Sequence, residues 1–153
     1  MKMNIFYTSA DPIACAKALD NKRLVKMVLE TTQLLSTAIN LQGGKTAYKS
    51  THANHPCSIW VRQSRSNFDW LLLHLEALSK EYTTRYGKIH KCAMYIPTLA
   101  GQASLMPDLP FTSPPNCTIY KEELDVIKAY NLYMAYKWSN DTNPKWSTDY
   151  AKA

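Results

Sequence analysis

A chain of 153 residues that is 46% apolar, 11% aromatic and only 20% charged suits one domain, able to bury roughly 70% of the surface of its unfolded form, and it is too apolar for a disordered tail. No run of about 18 apolar residues occurs, and the start, MKMNIFYTSADP, lacks the apolar stretch of a secretory signal, so neither a membrane helix nor an export leader is expected. The formal charge of +6 favours an anionic partner, and Cys15, Cys57, Cys92 and Cys117 form no CxxC pair, which makes reduced thiols the expectation.

Ile5, Phe6, Tyr7 and Thr8 favour extended structure without an evident partner strand, so they read as a short strand or an extended lead-in. Asp11 before Pro12 reads as the N-cap and first residue of a short helix through about Leu19. A second helix starts near Asp20. Leu24, Val25, Met27, Val28, Leu34, Leu35, Ala38 and Ile39 fall at helical spacing, while Lys22, Lys26, Glu30, Gln33 and Thr37 follow a polar stripe. Gly43 and Gly44 close it, and a loop leads into YKSTHANHPCSIWVRQSRSN. Pro56, with Asn54 and His55 before it as capping groups, opens a helical pattern that reaches Tyr86 and stops at Gly87. Ser64 and Ser66 divide that pattern, and Ser66 to Asp69 resembles a capping box. Over residues 92–118, Pro97, Pro107, Pro110, Pro114 and Pro115 preclude a long regular helix and predict a long loop fit to wrap or cover a site. A last helix is predicted over about 120–138, followed by a tail whose Trp146 is placed to dock on the body. Together these elements predict a mainly α, single-domain bundle of about five helices, with a short N-terminal extended segment and a proline-rich loop.

His52 and His55 are spaced to share a metal, but Pro56 puts the helix start after them and no third ligand is placed; no metal and no cofactor are expected. Cys57 falls in a first helical turn, where the positive end of the helix favours a thiolate, yet no base stands beside it and a small buried side chain is the commoner case. A phosphate site asks less. The free amides at Pro56 attract anions, with His52, His55 and Lys49 before them and Arg62 and Arg65 one or two turns on. Lys22, Arg23 and Lys26 form a second basic cluster, at the helix end where cations oppose the dipole. Glu81 and Arg85 stand one turn apart, followed by Lys88, His90 and Lys91. The catalytic candidates are therefore Glu30, Glu81 and His55; the candidates for holding phosphate or nucleic acid are Lys22, Arg23, Lys26, His52, Arg62, Arg65, Arg85, Lys88 and His90. Trp70, Tyr82 and Tyr86 have faces that can stack on bases, although their helical spacing also suits a core.

The segments MNIFY, DNKRLVKMVLETTQLLSTA, YKSTHANHPCSIWVRQSRSN and EYTTRYGKIHK, with the tyrosine-rich C-terminal helix, resemble a family of small tailed-phage proteins over nearly the whole chain. More distantly, the order of parts resembles the phage pyrimidine-dimer DNA glycosylase/lyases of the endonuclease V type. That resemblance implies a small helical enzyme acting on DNA in the cytoplasm of the infected host cell, with Glu30 as the assisting glutamate and Lys22, Arg23 and Lys26 on phosphates. In that class a trimmed N-terminal amine attacks the sugar C1′. This chain begins Met1-Lys2, a pair that opposes trimming, so a lysine Schiff base or plain hydrolysis is expected in its place. Three functions stay open: an enzyme that cleaves at a nucleotide of a nucleic acid, a counter-defence protein that binds or degrades a cyclic nucleotide signal, and a module that blocks a host protein. The expected partner is a nucleic acid or nucleotide, and the sequence leaves the oligomeric state open.

Overall fold

Helix boundaries fall where polar side chains satisfy the free amides of a first turn. The structure is a computed structural model that describes residues 3–148, so the expectation about Met1 and Lys2 lies outside the described residues. Asp11 accepts from the Ile13 amide and starts α1 (Pro12–Ala18), and Asp20 accepts from the Arg23 amide and starts α2 (Asn21–Leu41). His55 caps α3 (Pro56–Gln63), and Ser64 ends α3 and caps α4 (Arg65–Tyr86), its hydroxyl accepting from the Asn67 amide at 3.0 Å. The cap is thus Ser64, and the expected box at Ser66 to Asp69 lies inside α4. Gly87 stops α4 in the left-handed region at φ 71°, where a side chain would be strained.

The proline-rich stretch carries short helical pieces rather than loop alone: 3-10 segments at Lys91–Tyr95 and Ala103–Leu105 flank α5 (Ile96–Ala100), with Pro97 tolerated in its first turn. The last helix, α6 (Val126–Asn140), begins later than the sequence suggests. Asn116 accepts from the Thr118 amide and donates to the Tyr120 carbonyl, a local turn that competes with helix, and Asp125 then provides the cap. Six α-helices and no strand occur among the described residues, so the protein is mainly α.

α4 packs against α1 and α2, and α3 lies against both α2 and α4. Leu24, Met27, Val28, Leu34, Leu35 and Ile39 of α2 meet Phe68, Leu71, Leu75 and Leu78 of α4 in one buried cluster, which Met3 and Ile5 of the extended N-terminal segment and Tyr130 and Met134 of α6 complete. Tyr7, Trp60, Trp70, His74 and Phe111 add a run of edge and stacked ring contacts, which puts Trp70 in packing rather than on open surface. The tail docks as expected: Trp146 donates to the Ala18 carbonyl at 2.9 Å and meets Trp138 edge-on. No helix among the described residues is long and apolar enough to cross a membrane.

Candidate active site

The polar stripe of α2 organises the site because the loop after the helix runs back along it. Asn40 donates to the Tyr48 carbonyl at 2.9 Å. One turn earlier, Thr37 accepts from the Thr51 amide at 3.1 Å and returns its hydroxyl proton to the Thr51 carbonyl at 3.3 Å. That pairing brings His52 close enough to Glu30, two polar positions back along the stripe, for it to act on the carboxyl's charge. His52 itself sits at φ 51°, an uncommon conformation for a residue with a side chain, and its Nδ1 is 2.7 Å from the Thr51 hydroxyl.

Glu30 is 1% exposed, and neither carboxylate oxygen has a hydrogen-bond partner among the described residues. It forms an ion pair with Lys26, with Nζ 3.6 Å from Oε2 and the lysine side chain 59% exposed. Burial pushes the Glu30 carboxyl above the usual carboxylate range, against the opposite pull of Lys26 and His52. Gln33 Oε1, one turn on, is also buried without a partner. Buried unpaired polar atoms on one stripe are a costly arrangement and mark a place where the fold yields to another demand.

Glu30 lines a cleft of about 440 Å³, within the size range of small-ligand pockets. Val25, Leu29, Tyr48 and Cys92 give it apolar walls, and Lys26, His90 and Lys91 bring cations and an imidazole. Tyr48 is fixed by its hydroxyl contact with Cys92 Sγ at 3.3 Å and by Tyr95 edge-on at 5.4 Å. That hydroxyl's pKa is pushed up to about 12, first by the Cys92 contact and then by burial. A carboxyl that holds its proton more tightly than usual, set at a cleft with cations beside it, can give or take a proton next to a bound phosphate-bearing molecule.

Of the residues singled out in the sequence, the structure gathers Lys26, Glu30 and His90 at this cleft, with His52 close enough to act on the Glu30 charge. The others go elsewhere. Arg85 is 2% exposed and bonds Glu81 at 3.0 Å, the Leu19 carbonyl at 2.7 Å, Asn21 at 3.1 Å and the Lys17 carbonyl at 3.1 Å, tying the α1–α2 corner to α4. Glu81 lines a separate cavity with Pro12, Ile13 and Lys17. Arg23 bridges Asp20 at 3.0 Å and Asp141 at 2.7 Å, while Asp20 also accepts from Trp138. Arg62 bonds the Ala53 carbonyl at 2.7 Å and the Ser58 hydroxyl at 3.2 Å, and His55 Nδ1 accepts from the Cys57 amide at 3.1 Å. Lys22, Arg65 and Lys88 are exposed.

Tyr48, Val25 and Leu29 were not read as site residues. Nothing in their own neighbourhoods distinguishes them from core or loop positions; Tyr48 reaches the cleft because the loop after α2 is bonded back to Asn40 and Thr37 of that helix.

A family model described as pyrimidine dimer DNA glycosylase matches residues 3–94, more than half of the chain and a span that includes every residue named at the cleft. No curated protein and no solved structure matches the chain. With its helical fold and a match that spans the buried N-terminal segment through α4, the chain belongs to the pyrimidine dimer DNA glycosylase family.

Proposed function

We propose that the chain cleaves the glycosidic bond of a nucleotide in DNA, with the nucleotide turned out of its stack into the Glu30 cleft. The observation that carries this reading is Glu30 itself: a buried carboxyl without a hydrogen-bond partner among the described residues, beside a cation-bearing cleft, inside the residues that match the glycosylase family. Val25, Leu29 and Tyr48 offer faces for a base, Lys26 and Lys91 offer positive charge for the flanking phosphates, and His90 offers a neutral imidazole, its pKa lowered by burial. In the cleavage the bond between base and C1′ breaks, its electron pair leaving with the base. Glu30 supplies or takes the proton, and a nucleophile bonds to C1′ in place of the base. In this reading Lys26, with Nζ 3.6 Å from Glu30 Oε2, is that nucleophile: its amine, having given up a proton, bonds to C1′, and the C1′–O4′ bond then opens, the ring oxygen taking a proton as a hydroxyl, to leave a Schiff base; water is the alternative.

The test uses ultraviolet-irradiated duplex DNA. Glu30→Gln should lower base release by about 10²- to 10⁴-fold, the usual contribution of a positioned acid or base, while the folded variant still binds DNA at low salt. Undiminished release by Glu30→Gln would overturn the assignment. Borohydride trapping of a chain–DNA adduct that Lys26→Arg loses would assign the lysine route, and base release without any adduct would assign hydrolysis.

A further inference from the structure

The proline-rich segment brings a cysteine back to the start of α3. Cys57 Sγ and Cys117 Sγ are 3.8 Å apart, and a ring nitrogen of His55 joins them so that all three atoms lie within 4.8 Å of one another. Cys57 is fully buried, whereas His55 and Cys117 are half-buried, so the group has one side toward solvent.

The placement is built rather than incidental. The Tyr130 hydroxyl accepts from the Cys117 amide at 3.2 Å and donates to the Pro115 carbonyl at 3.1 Å. Upstream, Trp60 donates to the Thr112 carbonyl at 2.9 Å and Asn67 to the Thr112 hydroxyl at 3.0 Å. Both ends of the Cys117 approach are therefore pinned to α3, α4 and α6.

We propose that His55, Cys57 and Cys117 form a binding site for a thiophilic divalent cation of the zinc class. Two sulfurs bound to one zinc at about 2.3 Å in tetrahedral geometry stand roughly 3.8 Å apart, the separation found here, whereas a disulfide needs about 2.05 Å. Two soft thiolates and an imidazole select zinc over magnesium or calcium. The three ligands leave a fourth position for water on the solvent side. Binding releases the two thiol protons to solvent and exchanges the His55–Cys57 amide contact for a bond from the imidazole to the metal. The bound ion would fasten residues 112–118 to the start of α3. Cys117 lies outside the residues that match the glycosylase family, so this site stands independently of the proposed reaction.

The full chain, purified without chelator, should hold close to one zinc by elemental analysis. After chelation, added Co²⁺ should give a thiolate-to-cobalt charge-transfer band and tetrahedral ligand-field absorption. Cys117→Ser, at a half-exposed position, and His55→Asn, which preserves a good helix cap, should each weaken zinc binding at least tenfold while keeping the helical circular dichroism of the parent. Either of two results would overturn the site: a parent chain that takes up neither zinc nor Co²⁺, or variants that bind both as the parent does. A Cys57–Cys117 disulfide in the chain as purified would overturn it as well.

Discussion

Two glutamates have the same helical surroundings in sequence, each four residues from a basic partner, and burial separates them. Glu81 receives a well-formed bond from Arg85, whose remaining donors go to backbone carbonyls and to Asn21, so both charges are held by the fold. Glu30 faces a lysine too far away to form a hydrogen bond and lies deeper, which leaves its carboxyl without a hydrogen bond among the described residues. The spacing of four residues carried no information on which was which, because it fixes only the shared helix face and not what covers that face. His74 shows the same rule for a neutral group. It is completely buried, its Nδ1–H donates to the Pro12 carbonyl at 3.0 Å, its ring stacks on Trp70, and its Nε2 has no hydrogen-bond partner among the described residues. Burial lowers its pKa from 6.5 to about 4. The unfolded chain therefore takes up a proton at this residue at a higher pH than the folded one does. Stability is fully present above pH 6.5 and falls as the pH drops toward 4, by roughly 3 kcal/mol from this group. Urea unfolding of the parent and of His74→Phe between pH 7 and 4 should show a shallower pH slope in the variant; identical slopes would assign the acid sensitivity to other groups.

At the scale of elements, the sequence announces boundaries well and convergence poorly. Asp11, Asp20, Pro56, Ser64 and Gly87 each act within a few residues of themselves, through a side chain on a nearby amide or a φ only glycine takes easily, so their meaning is local and readable. The site depends instead on the loop after α2 retracing its own helix, and Cys117 meets Cys57 across 60 positions of chain. No local pattern encodes either. The retracing rests on Thr37, a residue that reads in sequence as one more polar position of a stripe. Thr37→Val keeps the shape but removes both bonds to Thr51 and leaves the Thr51 amide without its partner, at a cost of about 1–3 kcal/mol. Because His52 follows Thr51 directly, base release should fall more than stability alone explains, and Thr37→Ser should restore both. A Thr37→Val chain that unfolds earlier but releases base at the parent rate would show that the loop register does not matter to the chemistry.

For the whole molecule, the net charge of +6 matters less than where its free cations stand. Arg23, Arg62 and Arg85 are bound to protein oxygens, and Lys137 lies over the Tyr133 ring with its Nζ 4.6 Å from the centroid. Lys26 and Lys91 stand at the Glu30 cleft, and Lys88 is exposed on the same short connection that carries His90 and Lys91. If DNA lies on this face, counterions are released at Lys26, Lys88 and Lys91. Each phosphate neutralised on duplex DNA contributes about −0.9 to the slope of log affinity against log salt. Lys26→Ala, Lys88→Ala and Lys91→Ala should therefore each flatten that slope by roughly one, weakening binding about equally on irradiated and undamaged duplexes. Lys80→Ala, at the separate cavity between α1 and α4, and Lys137→Ala should leave the slope as it is. Equal flattening by all five would mean that the duplex is held by diffuse charge. Flattening by the three alone would set the DNA track across the mouth of the Glu30 cleft, with the scissile bond within reach of the one buried carboxyl that no donor occupies among the described residues.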